Sequence, residues 1–469
     1  MMNFTSLIFW AFLLVCLFFY WVKKEKTWQN IILLIGSLVF YASFNPVYVF
    51  LLLGSIAVDY WISTQIGRTG ANKRRLLFFS LAVNIGLWVF FKYADSLFAF
   101  FFSFQNSVTP LFLKSSFNLL MPIGLSFFTL KKIAYILDLS RGKINKVPNL
   151  IEYACFVAFF PQLIAGPIDR AQNLIPQFQA ARKWDGQYFQ DAWPLIVTGL
   201  FKKLVIANSI AVIVDQIYLS RAPSKLLWII GTLGFAVQVL ADFSGYTDIS
   251  RGVARLLGFK TSINFNSPYL SLNFNDFWNR WHITLSQWLR DYIFFPVRRW
   301  LMQHLKNKSN LLPTILPPLV TMLVSGIWHG TGWNFMAWGL FHGIVIAGSQ
   351  LIAKLGIGAK PSVLKVASSW LLTTGLLLFS WALFRTTTLT WLANVLFQSP
   401  FLSGGEDISI CLASLSFVIF YAFLYLMEFT IHRWTGKTTM VRSLFYAVIT
   451  LLIFIYSNSI SPDFIYTHF

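Results

Sequence analysis

Residues 316–348 read LPPLVTMLVSGIWHGTGWNFMAWGLFHGIVIAG. Two apolar runs, near 312–328 and 333–353, meet at a polar interruption, Ser325 to Gly332. A helix needs roughly 20 residues to cross about 30 Å of hydrocarbon, so each run approaches the length of one membrane span. The interruption holds His329 between Trp328 and Gly330. Glycines on either side permit close backbone approach, while Trp328 and Trp333 supply apolar walls. A neutral imidazole there is a suitable proton acceptor, because histidine titrates in the physiological range. A hydroxyl needs such a base to attack a thioester. The plainer alternative is an interfacial histidine that only hydrogen-bonds beside a tryptophan. His342, further along the second run, reads as structural.

The same apolar character extends along the chain. Of 469 residues, 57% are hydrophobic and only 12% charged, against about 25% charged in a soluble globular protein. The mean hydropathy is +0.63. The expected fold is therefore all-α and polytopic, with roughly 11–13 membrane segments, some of them re-entrant or interfacial, in one domain over residues 1–469. Expected spans include 4–22, 116–137, 150–167, 193–218, 226–247 and 443–459. A retained first span fits residues 4–22 better than a signal peptide, since no basic segment precedes it and no small-residue cleavage site follows.

The net charge of +20 could suggest nucleic acid, but the basic residues form short clusters between apolar runs and no continuous stripe. No nucleic-acid partner is expected; membrane lipids are. Read by the positive-inside rule, Lys23, Lys24 and Lys26 are cytoplasmic, as are Arg68 and Lys73 to Arg75. Arg433, Lys437 and Arg442 precede the last apolar run. Both termini, including a tail at 460–469, are then extracytoplasmic. Cys16, Cys155 and Cys411 lie far apart, with no metal-site or disulfide spacing. Metal ligands, phosphate loops, nucleophile elbows and paired catalytic carboxylates are not evident.

Three further polar islands interrupt hydrocarbon, where ionisable groups are costly and commonly functional. Asp169 and Arg170 end a segment broken by Gly166-Pro167; an ion pair at a helix end is the plainer reading. Asp242, Ser244, Tyr246 and Asp248 would line a hydrophilic tunnel or bond to neighbouring helices. Residues 275–299 read as an interfacial amphipathic helix, with Trp278, Trp281, His282, Leu285, Leu289 and Tyr292 on one face and Asn279, Arg280, Gln287, Arg290 and Asp291 off it. Arg298, Arg299, Lys306 and Lys308 beside it suit lipid headgroups or an anionic cosubstrate.

At these islands the chain resembles the membrane-bound O-acyltransferase (MBOAT) family, in its bacterial branch of alginate, cellulose and peptidoglycan acetylating proteins, to which the teichoic-acid D-alanylation protein is related. Met121-Pro-Ile-Gly-Leu-Ser-Phe-Phe128, Phe160-Pro-Gln-Leu-Ile-Ala-Gly-Pro-Ile-Asp-Arg170, Asp242-Phe-Ser-Gly-Tyr-Thr-Asp248, Phe277-Trp-Asn-Arg-Trp-His-Ile-Thr-Leu-Ser286 and Trp328-His-Gly330 carry the likeness. The resemblance implies a helical ring around a central tunnel, His329 as catalytic histidine and His282 as the supporting one. Trp328, Asp242, Tyr246, Asn279, Asp169 and Arg170 would line or support the tunnel. Asp463-Phe-Ile-Tyr-Thr-His-Phe469 is similar to the acetylating branch's aromatic carboxyl-terminal motif, which implies Tyr466 as a transient acyl acceptor; an interfacial aromatic is the alternative. The implied function is acyl transfer, acetyl first, from a cytoplasmic thioester to an extracytoplasmic polysaccharide at a bacterial inner membrane. Acetyl-CoA is the expected donor, with no bound cofactor and no metal. An SGNH-type acyltransferase and polysaccharide-synthesis machinery are the expected partners. Phe294-Phe-Pro-Val-Arg-Arg-Trp300 departs from the alginate pattern towards the D-alanylation relatives, and Lys131 and Lys132 stand where residues are commonly uncharged. D-alanyl transfer from a carrier protein, and a transporter or flippase, are the alternatives.

Overall fold

The computed structural model describes residues 2–68, 72–103, 121–305, 311–354, 362–434 and 439–457. Tyr466 and the tail around it lie outside these residues, as do Lys306 and Lys308. Among the described residues all regular structure is helical, without a strand. Among these described residues eight helices are long and apolar enough to cross a membrane, and Leu7–Val22 and Met440–Tyr456 are shorter apolar helices. Large apolar side chains such as Leu7, Val363 and Phe454 stand outward, as lipid-facing residues do. The chain is a multi-pass membrane protein. It divides into two compact units: Met1–Trp193 with Ser250–Ser262, and Pro194–Ile249 with Ile263–Phe469.

The first unit begins with α1 (Leu7–Val22), α2 (Lys26–Ala42), α3 (Pro46–Gly67) and α4 (Lys73–Ser103), followed by α5 (Leu125–Ser140), α6 (Leu150–Ala158), α7 (Phe160–Leu163) and α8 (Ala171–Gln179). On α1, Phe9, Leu13, Cys16 and Tyr20 are buried, the spacing of one helical face. The run at 150–167, expected as one span, is broken. A capping box between Asn149 and Glu152 starts α6. The helix then kinks at Phe159, and Ser37 accepts the Phe160 N–H at 3.2 Å. Gly124, in the left-handed region at φ 79°, meets this break: an added Cβ would lie 2.3 Å from the Leu163 carbonyl oxygen. The Pro-Ile-Gly and Gly-Pro interruptions thus belong to one packing feature.

The two lysines of α5 sit in this buried ground. Lys132 lies 3.2 Å from Asp59, whose carboxylate also accepts from Ser80 at 2.8 Å and Asn84 at 2.9 Å. Lys131 donates to Gln162 at 3.3 Å, and Gln162 donates on to Asp169 at 2.5 Å. Asp169 also accepts from the Ser262 N–H and hydroxyl. Buried charge persists only when paired and hydrogen-bonded in this way.

The second unit contains the C-terminal part of α9 (Gly186–Leu200), a π-helical segment (Phe201–Ala207), α10 (Asn208–Leu219), most of α11 (Lys225–Leu256), α12 (Phe274–Trp278), α13 (Ile283–Leu289), a π turn (Arg290–Phe294), α14 (Phe295–His304), α15 (Leu312–His329), α16 (Trp333–Lys354), α17 (Val363–Arg385), α18 (Leu389–Phe397), α19 (Gly405–Trp434) and α20 (Met440–Tyr456). Small residues bring its backbones together. A Cβ on Gly199 would stand 2.6 Å from the Gly245 carbonyl. Along the α15–α16 hairpin, Cβ atoms on Gly326, Gly339 and Gly343 would strike Phe335 O at 2.2 Å, Met322 O at 2.3 Å and Leu319 Cα at 2.9 Å. These three contacts fix an antiparallel register with Leu319 level with Gly343, Met322 with Gly339, and Gly326 with Phe335.

Residues 275–299 do not form the continuous amphipathic helix expected from their pattern. Helix α12 closes at Trp278, the Asn279 N–H returning to the Asn275 and Asp276 carbonyls. His282 adopts left-handed geometry at φ 39°. Asn264 takes over the start of α13: its carbonyl accepts the Ile283 N–H at 3.0 Å, and its side chain accepts the Thr284 hydroxyl at 2.8 Å and the Thr284 N–H at 3.1 Å. Helical periodicity cannot report such a break, because its cause lies outside the segment. Trp281, His282, Leu285 and Leu289 are nevertheless buried.

Candidate active site

His329 is the last residue of α15, where Gly330 turns the chain into extended backbone. Its ring lies 4.9 Å from Trp328, 5.1 Å from Trp338 and 5.2 Å from Phe384, centroid to centroid. Only 3% of the residue is exposed. A base so enclosed works in low dielectric, where proton transfers and developing charges are not damped by water.

His282 reaches the same region from the broken segment. Its ring is 4.7 Å from Phe243 and 6.4 Å from Trp328, so both histidines pack against Trp328. Burial pushes the His282 imidazole down to about 3. It is neutral at physiological pH and suited to hydrogen bonding, not to carrying positive charge.

Asp242 precedes Phe243 on α11 and binds Lys203 at 2.6 Å. Lys202 pairs instead with Asp248 at 2.9 Å and Glu428 at 3.5 Å. The π-helical segment aims these consecutive lysines at carboxylates six positions apart on α11. Tyr246 is buried between those carboxylates in sequence. Asp169 and Arg170 belong to the other unit, where Asp169 is held as described above.

Asn279 borders a cavity of about 420 Å³ within the second unit, inside the range that small-molecule sites occupy. Its polar lining includes Asn275, Gln287, Arg290 and Arg298, and its apolar lining Trp278, Met322 and Ile346. The two guanidiniums suit an anionic group. Periodicity gave no sign that α12, α13, α14, α15 and α16 would surround one space. Neither Trp338 nor Phe384 was marked by any motif; Phe384 reaches His329 from a helix more than fifty positions along the chain. Among the described residues no group of three His, Cys, Asp or Glu is placed to hold a metal ion.

A multi-pass helical chain whose buried histidine lies at a break between two spans has the form of a membrane-embedded transferase. The model of the MBOAT, membrane-bound O-acyltransferase family, matches residues 56–356, and the chain belongs to that family. It is an O-acyltransferase. A probable alginate O-acetylase AlgI of Pseudomonas aeruginosa is 36% identical over 416 residues, covering 87% of this chain and 76% of that protein. A peptidoglycan O-acetyltransferase of Helicobacter pylori is 34% identical, covering 87% and 80%. A teichoic acid D-alanyltransferase of Bacillus subtilis is 29% identical over 54% of this chain and 68% of its own length.

Proposed function

We propose that this O-acyltransferase moves an acetyl group from acetyl-CoA, on the cytoplasmic side of a bacterial inner membrane, to a hydroxyl facing the opposite side, for O-acetylation of an extracytoplasmic polysaccharide. The observation that carries this reading is the burial of His329 among Trp328, Trp338 and Phe384 on the helix hairpin that also lines the arginine-bearing cavity. The greater similarity to acetylating relatives, in identity and in coverage, favours acetyl over D-alanyl.

In this mechanism His329 takes the proton of the attacking hydroxyl as its oxygen bonds to the thioester carbonyl carbon. The carbonyl π electrons move to oxygen. As the resulting oxyanion collapses, the carbon–sulfur bond breaks, and the thiolate leaves with the proton from the imidazolium. His282 stays neutral and fixes the neighbouring wall through Phe243 and Trp328. The hydroxyl is that of Tyr466, from which an SGNH-type partner moves the acetyl to polymer, and polysaccharide-synthesis machinery supplies that polymer. The basic clusters at 23–26 and 68–75 orient the chain with its termini outside. Asp242, Tyr246, Asn279, Asp169 and Arg170 support this path by holding the helices and the cavity rim.

Peptide mass spectrometry of the purified protein after incubation with acetyl-CoA tests the reading. Acetyl on Tyr466 in wild type, and at least about 100-fold less in His329→Ala, is the expected result, the size that loss of a general base produces. Labelling undiminished in His329→Ala removes the base. Labelling only by a D-alanyl carrier thioester transfers the reading to D-alanylation.

A further inference from the structure

A layer of side chains links the cavity lining to His329. In the hairpin register, Met322 on the floor is level with Gly339, and Gly326 with Phe335. Positions 325 and 338 therefore fall between the Met322 end of the cavity and His329, while 342 lies beside the lining residues Pro318 and Thr321, together with Trp278, which lines the cavity from α12. The rings form a continuous series. Trp278 lies 5.2 Å from His342 and 5.9 Å from Trp338, His342 lies 4.6 Å from Trp338, and Trp338 lies 5.1 Å from His329.

This layer is polar in a particular way. The Trp278 and Trp338 Nε1 atoms, both His342 ring nitrogens and the Ser325 Oγ are buried with no hydrogen-bond partner among the described residues. Trp338, His342 and Ser325 are each at most 1% exposed. Buried polar groups are ordinarily paired, and leaving one unsatisfied is unfavourable. Here five such atoms of four residues lie in one layer beside a cavity. Indole N–H groups only donate, so the layer awaits an acceptor. Its aromatic walls exclude a hydrated anion, and Arg290 and Arg298 already offer charge at the cavity lining. A neutral carbonyl oxygen on an otherwise apolar group fits.

We propose that Trp278 and Trp338, with His342 packed between them, form a slot that binds the carbonyl oxygen of the acyl thioester and holds its carbonyl carbon toward His329. This rests on the donor reading given above. The slot's N–H groups meet the oxygen as it gains negative charge during hydroxyl attack, and the bond strengthens at that stage without reorganisation of water. His342 completes the slot by hydrogen-bonding the same group or a water beside it.

Two non-transferable analogues test the slot on the full-length protein in detergent: acetyldethia-CoA, a methyl ketone that keeps the carbonyl, and S-ethyl-CoA, which lacks it. Wild type is expected to bind the ketone roughly tenfold more tightly, the size of one buried hydrogen bond. In Trp278→Phe and Trp338→Phe that preference falls to within about twofold while S-ethyl-CoA binding holds, a pattern that general loosening does not produce. His329→Ala retains the preference while losing acetyl transfer. A tenfold preference unchanged in both tryptophan variants overturns the slot and leaves the donor reading intact. Failure of both analogues to bind wild type overturns the donor reading and the slot with it.

Discussion

His282 combines a left-handed backbone with deep burial, and the two properties predict different responses to substitution. Asparagine tolerates left-handed geometry far better than alanine. His282→Asn is expected to fold at near wild-type yield, whereas His282→Ala loses at least about 1 kcal/mol more through backbone strain. Thermal unfolding of the two variants measures the gap. The imidazole also links stability to pH. Because burial depresses its folded pKa to about 3, the unfolded chain binds the extra proton between the ordinary histidine value near 6.5 and about 3. Stability is therefore complete above roughly pH 6.5 and declines as pH falls through that window. Melting curves from pH 7.5 to 5 should show a shallower decline for His282→Asn than for wild type; identical slopes would remove His282 from the linkage. A similar question attaches to Lys203, which binds Asp242 at 2.6 Å with both side chains at most 3% exposed. Lys203→Met strands a buried carboxylate and is expected to destabilise by about 3–5 kcal/mol, with much of that loss recovered in Lys203→Met combined with Asp242→Leu. Unfolding of the three proteins decides it.

At the scale of helices, apolar runs were legible where they were long and unbroken, since length and hydropathy alone answer the demands of hydrocarbon. The pair flanking His329 came through as α15 and α16. What periodicity missed were breaks satisfied from outside. Ser37 receives the freed N–H at Phe160, and Asn264 caps α13 from nineteen positions before its first residue. Neither leaves a local signal. The glycines of α16 were visible, but not the reason for them, which is the register they set. Gly326→Ala would place a methyl 2.2 Å from the Phe335 carbonyl. Backbone cannot yield as a side-chain tip does, so the hairpin must part. The expected loss is at least about 1–3 kcal/mol, with acetyl transfer falling further because Trp338 and His329 ride on opposite arms. Gly348→Ala, with nothing within 4 Å, is the matched control on the other arm of the same hairpin. Equal melting temperatures for the two variants would show that the hairpin does not depend on this approach.

For the whole molecule, the family motifs in the sequence marked both histidines, and folding brings both against Trp328. Trp338, Phe384 and the cavity came from tertiary packing between distant helices, which no single segment encodes. The direction of transfer is a separate matter, and it depends on which membrane face each loop occupies. Charge supplies the argument: basic residues cluster at 23–26, at 68–75 and at 433–442, and the last apolar run follows the third cluster. Translocating such clusters is unfavourable, so the proposed orientation keeps each of them cytoplasmic and puts the segment after the last run outside. The three native cysteines are buried, which leaves introduced thiols as the accessible ones. A membrane-impermeant maleimide applied to spheroplasts is expected to label Thr467→Cys directly and Thr69→Cys only after permeabilisation. The reverse pattern would put Tyr466 on the same side as acetyl-CoA. A tyrosine there could take acetyl without any group crossing the membrane, and transmembrane delivery would fail even if His329 proved to be the base.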